Sequence, residues 1–220
     1  MSKANQTTLT VSALTLLVLC FTGVVPATSA SPKSVPDFQI VITTPTQYPV
    51  SIFCLPNGGG STLATAQTIG HGVVDAIITM QLLDSGNPVA NFPHEDMWLD
   101  SVLGGLAICL GGTVADGSTD AQGHTSWQSP LQVGGTVDPG AGDFLMVYVN
   151  GSSFPSPELA EYRINSADIN GDRNVNLSDI PIFASDFHGS YDYRSDFQWD
   201  NVINLSDVVK MAQSLGADCP

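Results

Sequence analysis

The spacing of apolar residues changes once along this chain. From about Val35 to Asn165 they fall in short runs rich in Val, Ile, Phe and Thr, bounded by Gly, Pro, Asn and Asp. Such runs predict β-strands. The expected strands are Phe38–Thr43, Val73–Leu83, Met97–Ser101, Leu106–Leu110, His124–Gln128, Phe144–Asn150 and Glu161–Asn165. In the longest, Ala76, Ile78, Met80 and Leu82 form one apolar face, as a half-buried strand requires. Trp98 and Trp127 alternate with polar neighbours. They read as core anchors; the other reading is an exposed platform for stacking carbohydrate. Seven or so strands over roughly 130 residues are enough for a β-sandwich around one core.

Beyond Asn165 the period becomes helical. Leu177, Ile180, Ala184 and Phe187 recur at i, i+3, i+7 and i+10, and so do Leu205, Val208, Ala212 and Leu215. Asn-Leu-Ser-Asp opens each stripe and offers a capping side chain. Pro181 falls in the first turn, where a missing N–H costs least. Two short helices are expected to pack through these stripes and bring the loops before them side by side.

Those loops repeat each other. Asp168-Ile-Asn-Gly-Asp172-Arg-Asn174-Val-Asn176-Leu-Ser-Asp179 returns as Asp196-Phe-Gln-Trp-Asp200-Asn-Val202-Ile-Asn204-Leu-Ser-Asp207. Oxygen-bearing side chains stand at positions 1, 3, 5, 9 and 12 of both copies. That is the spacing by which an EF-hand-type loop wraps a calcium ion. The first ion would take Asp168, Asn170, Asp172, the carbonyl of Asn174, Asn176 (through water) and Asp179. The second would take Asp196, Gln198, Asp200, the carbonyl of Val202, Asn204 and Asp207. Three clustered carboxylates repel until a cation reverses the sign, so two Ca2+ ions would add to the folding free energy. Position 6, usually Gly, is Arg173 in one loop and Asn201 in the other. Asn tolerates positive φ better than Arg, so the first loop is expected to bind more weakly.

The duplicated loop-plus-helix over residues 166–217, with Asp at position 12, resembles the dockerin family. That resemblance implies association with a cohesin-like protein and with extracellular polysaccharide-degrading assemblies. It also implies a partner-contact role for positions 10 and 11, here Leu177, Ser178, Leu205 and Ser206. Identical pairs in the two halves would present the same contact in two orientations. Leu departs from the family's common Ser-Thr pair. Upstream, Asp84-Ser-Gly-Asn-Pro88-Val and Thr119-Asp-Ala-Gln-Gly123-His-Thr125 resemble turns of the invasin-type bacterial Ig-like (Big-1) domain over about residues 70–150. The expected fold is therefore mostly β: an Ig-like β-sandwich over residues 31–165, then a small α-helical, dockerin-like calcium-binding domain over 166–220. The rival reading is an adhesin or carbohydrate-binding protein that acts through the sandwich, with calcium purely structural.

Residues 1–30 carry Lys3, an apolar run from Val11 to Val25 and small residues at Thr28-Ser-Ala30. They read as a signal peptide, so export to the extracellular space or cell surface is expected. Cys20 follows Leu19 and lacks the context of a lipid-attachment site. Cys54, Cys109 and Cys219 remain after cleavage. Cys54 and Cys109 lie on apolar, strand-like segments of one region and are the expected disulfide; Cys219 would be free or pair with another chain. The formal net charge of −15 opposes nucleic acid and anionic membrane surfaces. Asp84-Ser-Gly has no second copy to share a proton with, as an aspartic-protease dyad needs. Glu95, Asp96 and Asp100 read as solvent-facing rather than as a glycosidase pair. His71, His94, His124 and His188 show no paired metal spacing. The expected protein is not an enzyme.

Overall fold

The computed structural model describes residues 37–220. The expected signal peptide lies outside the described residues. The described residues are mostly β and belong to one compact unit. Among the described residues no helix is long and apolar enough to cross a membrane.

Four small sheets enclose the main core. In the first, β1 (Phe38–Thr43) pairs antiparallel with β5 (Ile78–Asp84), which also pairs with β6 (Asn87–Pro88) and β9 (His124–Trp127). In the second, β7 (Met97–Ser101) pairs with β11 (Leu145–Val149), and β11 with β12 (Ser152–Phe154). The third joins β8 (Leu106–Ile108) to β10 (Val133–Gly135). The fourth runs from β13 (Tyr162–Ser166) through β2 (Val50–Cys54) and β3 (Ala66–Thr68) to β4 (Gly72–Val74), with β13 and β2 parallel. Alternation drives the burial: Ile78, Met80 and Leu82 of β5, and Met97 and Leu99 of β7, are all fully buried. Trp127 is also inside, and its Nε1–H donates to the Thr113 carbonyl at 2.9 Å. Trp98 instead stacks on Tyr148 of the neighbouring strand, with ring centroids 5.4 Å apart.

The expected strand Val73–Leu83 is divided between two sheets. The Ile77 N–H donates to the Asp75 carboxylate at 2.9 Å. This local turn competes with the ladder and ends β4 before β5 begins.

Two helices follow, α1 (Asp179–His188) and α2 (Leu205–Ser214). Their inward positions are Asp179, Phe183 and Asp186 in α1, and Asp207, Met211 and Ser214 in α2. The packing face thus repeats at the same offset as the loops. Only part of the expected stripe packs: Ile180 and Phe187 lie against the second cluster, whereas Leu177, Leu205, Val208 and Leu215 are exposed. The helices turn towards a second cluster, built from Phe183, Met211, Phe197, Ile169 and Val175 with Phe53 and Leu55 of the β-region.

The disulfide also differs from expectation. Cys109 bonds to Cys219, and Cys54 is a buried free thiol. The last residues run back along the first loop: Gly216 N–H donates to the Val175 carbonyl, and Val175 N–H to that of Ala217, each at 2.8 Å. This pairing brings Cys219 to Cys109, with Cα atoms 5.6 Å apart. Cys54 faces the main core instead, where burial pushes its thiol up to about 12.

Candidate metal centre

The two acidic loops carry the same hydrogen-bond wiring. In the first, the Asp168 carboxylate accepts from the N–H groups of Asp172 and Arg173 at 3.0 and 2.8 Å. In the second, Asp196 accepts from those of Asp200 and Asn201 at 3.2 and 2.9 Å. Asp172 Oδ1 accepts from Asn174 N–H, and Asp200 Oδ1 from Val202 N–H, each at 3.0 Å. The closing carboxylates match too. Asp179 accepts from the N–H groups of Asn170 and Asn176, and Asp207 from those of Gln198 and Asn204. Asn176 Nδ2 lies 3.3 Å from Asp172 Oδ2 and 3.3 Å from the Asn174 carbonyl. Asn204 Nδ2 lies 3.1 Å from Asp200 Oδ2 and 3.3 Å from the Val202 carbonyl.

Backbone conformation repeats as well. Arg173 and Asn201 have φ of 70° and 68°, and Gly171 and Trp199 two residues earlier have φ of 69° and 47°. Both loops therefore turn through the left-handed region at positions 4 and 6. Three of these four residues are not Gly, which is costly unless surrounding contacts hold them. Position 4 was missed in the sequence reading, although Gly171 could have marked it.

The loops are anchored to the β-region. Gly135 N–H of β10 donates to the Asp168 carbonyl at 2.8 Å. A Cβ on Gly134 would collide with the Asp168 carboxylate, so only Gly lets the loop approach this closely. Asn165 of β13 is fully buried and donates through Nδ2 to the Asp196 carbonyl at 2.6 Å. Tyr193 OH and Ser51 Oγ share a hydrogen bond of 2.6 Å. Asp186 is buried on α1, where Arg194 meets it with two bonds of 2.8 Å. Burial alone would raise the Asp186 pKa; Arg194 and Ser195 outweigh it and hold the carboxyl low.

Burial is the first influence on three of the loop carboxylates, whereas at Asp172 it is outweighed by side-chain hydrogen bonds from Asn170 and Asn176, which hold that carboxyl low. Burial raises the Asp168 carboxyl to about 6, and the nearby charges of Asp179 and Asp172 push the same way. Asp196 and Asp207 are also raised, first by burial and then by the charges of Asp207 and Asp200 respectively. A cation among them would reverse the sign of that interaction. Among the described residues no three His, Cys, Asp or Glu side chains close on one point as a ready-made cage. Each loop instead spaces its carboxylates among Asn side chains whose nitrogens face Asp172 and Asp200 and whose oxygens accept from backbone N–H groups. With those amides turned to present oxygen, the set would suit a hard, flexible cation such as Ca2+ and not a thiolate- or imidazole-seeking metal.

The other expected site residues separate into two groups. Asn170 joins the first loop, its Nδ2 lying 3.1 Å from Asp172 Oδ2 and 2.6 Å from Ser178 Oγ. Gln198 at the same position of the second loop is exposed and contributes its main-chain N–H. Leu177 and Leu205 are 79% and 73% exposed. Ser206 turns back to Asn204, with its Oγ donating to Oδ1 at 2.5 Å. Comparison of the chain with protein-family models, with curated proteins and with solved structures finds no match.

Proposed function

We propose that the C-terminal module, residues 166–220, binds two Ca2+ ions and thereby presents a surface for docking onto another protein. The observation that carries this reading is the matched main-chain wiring at positions 1, 5 and 12 of the two loops, which supports a duplicated ion site. The liganding sets are those assigned from the spacing, from Asp168 to Asp179 and from Asp196 to Asp207. The module is dockerin-like, and the β-region is an Ig-like sandwich that serves as spacer or support. The protein is exported and non-catalytic, and the partner is a cohesin-like component of an extracellular, polysaccharide-degrading assembly.

The docking surface follows from what the helices leave outside. Val209 and Leu215 of the α2 segment are 53% and 43% exposed, and Val208 is 37% exposed, beside Leu205. On α1 the outward residues are Pro181, Ala184, Ser185 and His188. The α2 half is therefore the more apolar contact, and apolar side chains at the centre of an interface dominate its energy. Leu205→Arg is expected to weaken capture of the partner from the secreted fraction at least about tenfold, and Leu177→Arg less. The capture should be lost in chelator. Capture that ignores both chelator and Leu205→Arg would remove this reading.

A further inference from the structure

A cleft of about 420 Å³ lies between the β-region and the second acidic loop. Tyr48 and His71 stack at its rim, with ring centroids 4.2 Å apart, and both are exposed. Tyr191 also lines it, about half exposed, its OH donating to Asp196 Oδ2 at 2.9 Å. Tyr193 and Trp199 form a buried floor. Three of the chain's five tyrosines thus line one cleft, which is more than packing of the floor requires.

The polar groups are equally concentrated. Arg163 lies between two carboxylates, 3.3 Å from Asp138 and 3.5 Å from Glu161. Its guanidinium also sits over the Trp199 ring, 5.4 Å from the centroid. These contacts decide the ligand class. An anion would meet two carboxylates and a guanidinium that is already paired. Arg163 already holds the cation position over Trp199 and Tyr193 that a quaternary ammonium would take, which leaves Tyr48 and Tyr191 as the exposed aromatic groups. A sugar ring matches both features. Its C–H faces are apolar and weakly positive, so they lie against aromatic faces. Its equatorial hydroxyls need donors and acceptors around the edge, and Asp138, Glu161, Arg163 and Asn201 provide them.

We propose that this cleft binds a neutral, hydroxyl-rich carbohydrate segment. Tyr48 and Tyr191 offer it aromatic surface, and Glu161 and Arg163 bond its hydroxyls. The proposal goes beyond protein docking, because Leu177, Leu205 and the outer face of α2 take no part in it. Trp199 and Asn201 come from the second loop, so the two modules share the cleft.

The test is titration of the full chain, with calcium present, with β-1,4-linked gluco-, xylo- and manno-oligosaccharides and an α-1,4-linked gluco-oligosaccharide. An oligogalacturonate serves as the anionic control. At least one neutral oligosaccharide is expected to bind in preference to the oligogalacturonate. Tyr48→Ala should weaken that binding about tenfold, the loss typical of an aromatic anchor, and Glu161→Gln by a smaller factor. Both residues are exposed and distant from the ion ligands in sequence, so melting temperature and calcium binding should be unchanged. Failure of every neutral oligosaccharide to bind at millimolar concentration would overturn the proposal, as would binding that survives Tyr48→Ala or a preference for the oligogalacturonate. Each of these results leaves the chelator-dependent capture unaffected, so the two readings fail separately.

Discussion

Replacing Cys219 with Ser is expected to destabilise the chain by about 2–5 kcal/mol, measured by denaturant unfolding. The bridge spans 110 residues of sequence, and closing so long a loop removes much of the freedom of the unfolded chain. It also holds the final residues against the first acidic loop, where Cys219 N–H donates to the Arg173 carbonyl at 3.3 Å. The ends of that loop should therefore exchange amide protons faster in the variant. Cys54→Ala changes only a buried thiol whose Sγ lies 3.8 Å from the Ile52 carbonyl, and a smaller loss is expected. Alkylation of the denatured, unreduced protein checks the pairing: of Cys54, Cys109 and Cys219 only Cys54 is labelled, and a linked Cys109–Cys219 peptide is found. A labelled Cys219 would refute it.

Phe197→Ala is expected to cost about 3–5 kcal/mol, the range for an aromatic removed from a core that cannot collapse. Phe197 is 1% exposed, with ring centroids 5.3 Å from Phe53 and 5.7 Å from Phe183. It therefore joins β2, α1 and the second loop in one contact. Lys210 adds to this: its Nζ donates to the Phe197 carbonyl at 2.8 Å while lying 4.3 Å from the Phe53 ring. Leu177→Ala is the control. An exposed leucine should change stability by no more than about 0.5 kcal/mol. A Phe197→Ala loss as small as that of the control would mean that the second cluster does not hold the module to the β-region.

Alternation made β5 and β7 legible, since their inward residues differ in kind from their outward ones. It failed for β2, Val50–Cys54, in which all five residues are buried. A strand covered on both faces has no polar side to reveal its period. The three-residue strands Val133–Gly135 and Ser152–Phe154 escape the pattern because Gly and Ser carry little strand signal. In the tail, spacing marked the acidic loops and the helices after them. It misplaced part of their packing face, because Asp179, Asp186 and Asp207 are polar residues that point inward. Asp186 is satisfied there by Arg194 and Ser195, a pairing made across a turn that periodicity does not register. The disulfide was misread because Cys54 belongs to the main core, although Cys109 Sγ lies only 3.2 Å from the Pro56 carbonyl. Only the return of residues 216–219 along the first loop gives Cys109 its partner.

The central claim is that paired acidic loops hold divalent ions. Calorimetric titration of Ca2+ into the full chain, stripped with chelator, tests it most directly. The account predicts two equivalents bound, with the tighter one lost in Asp200→Ala and both lost when Asp168 and Asp196 are replaced together by Ala. Absence of binding heat in the unaltered chain, or two equivalents retained in that double variant, would contradict it.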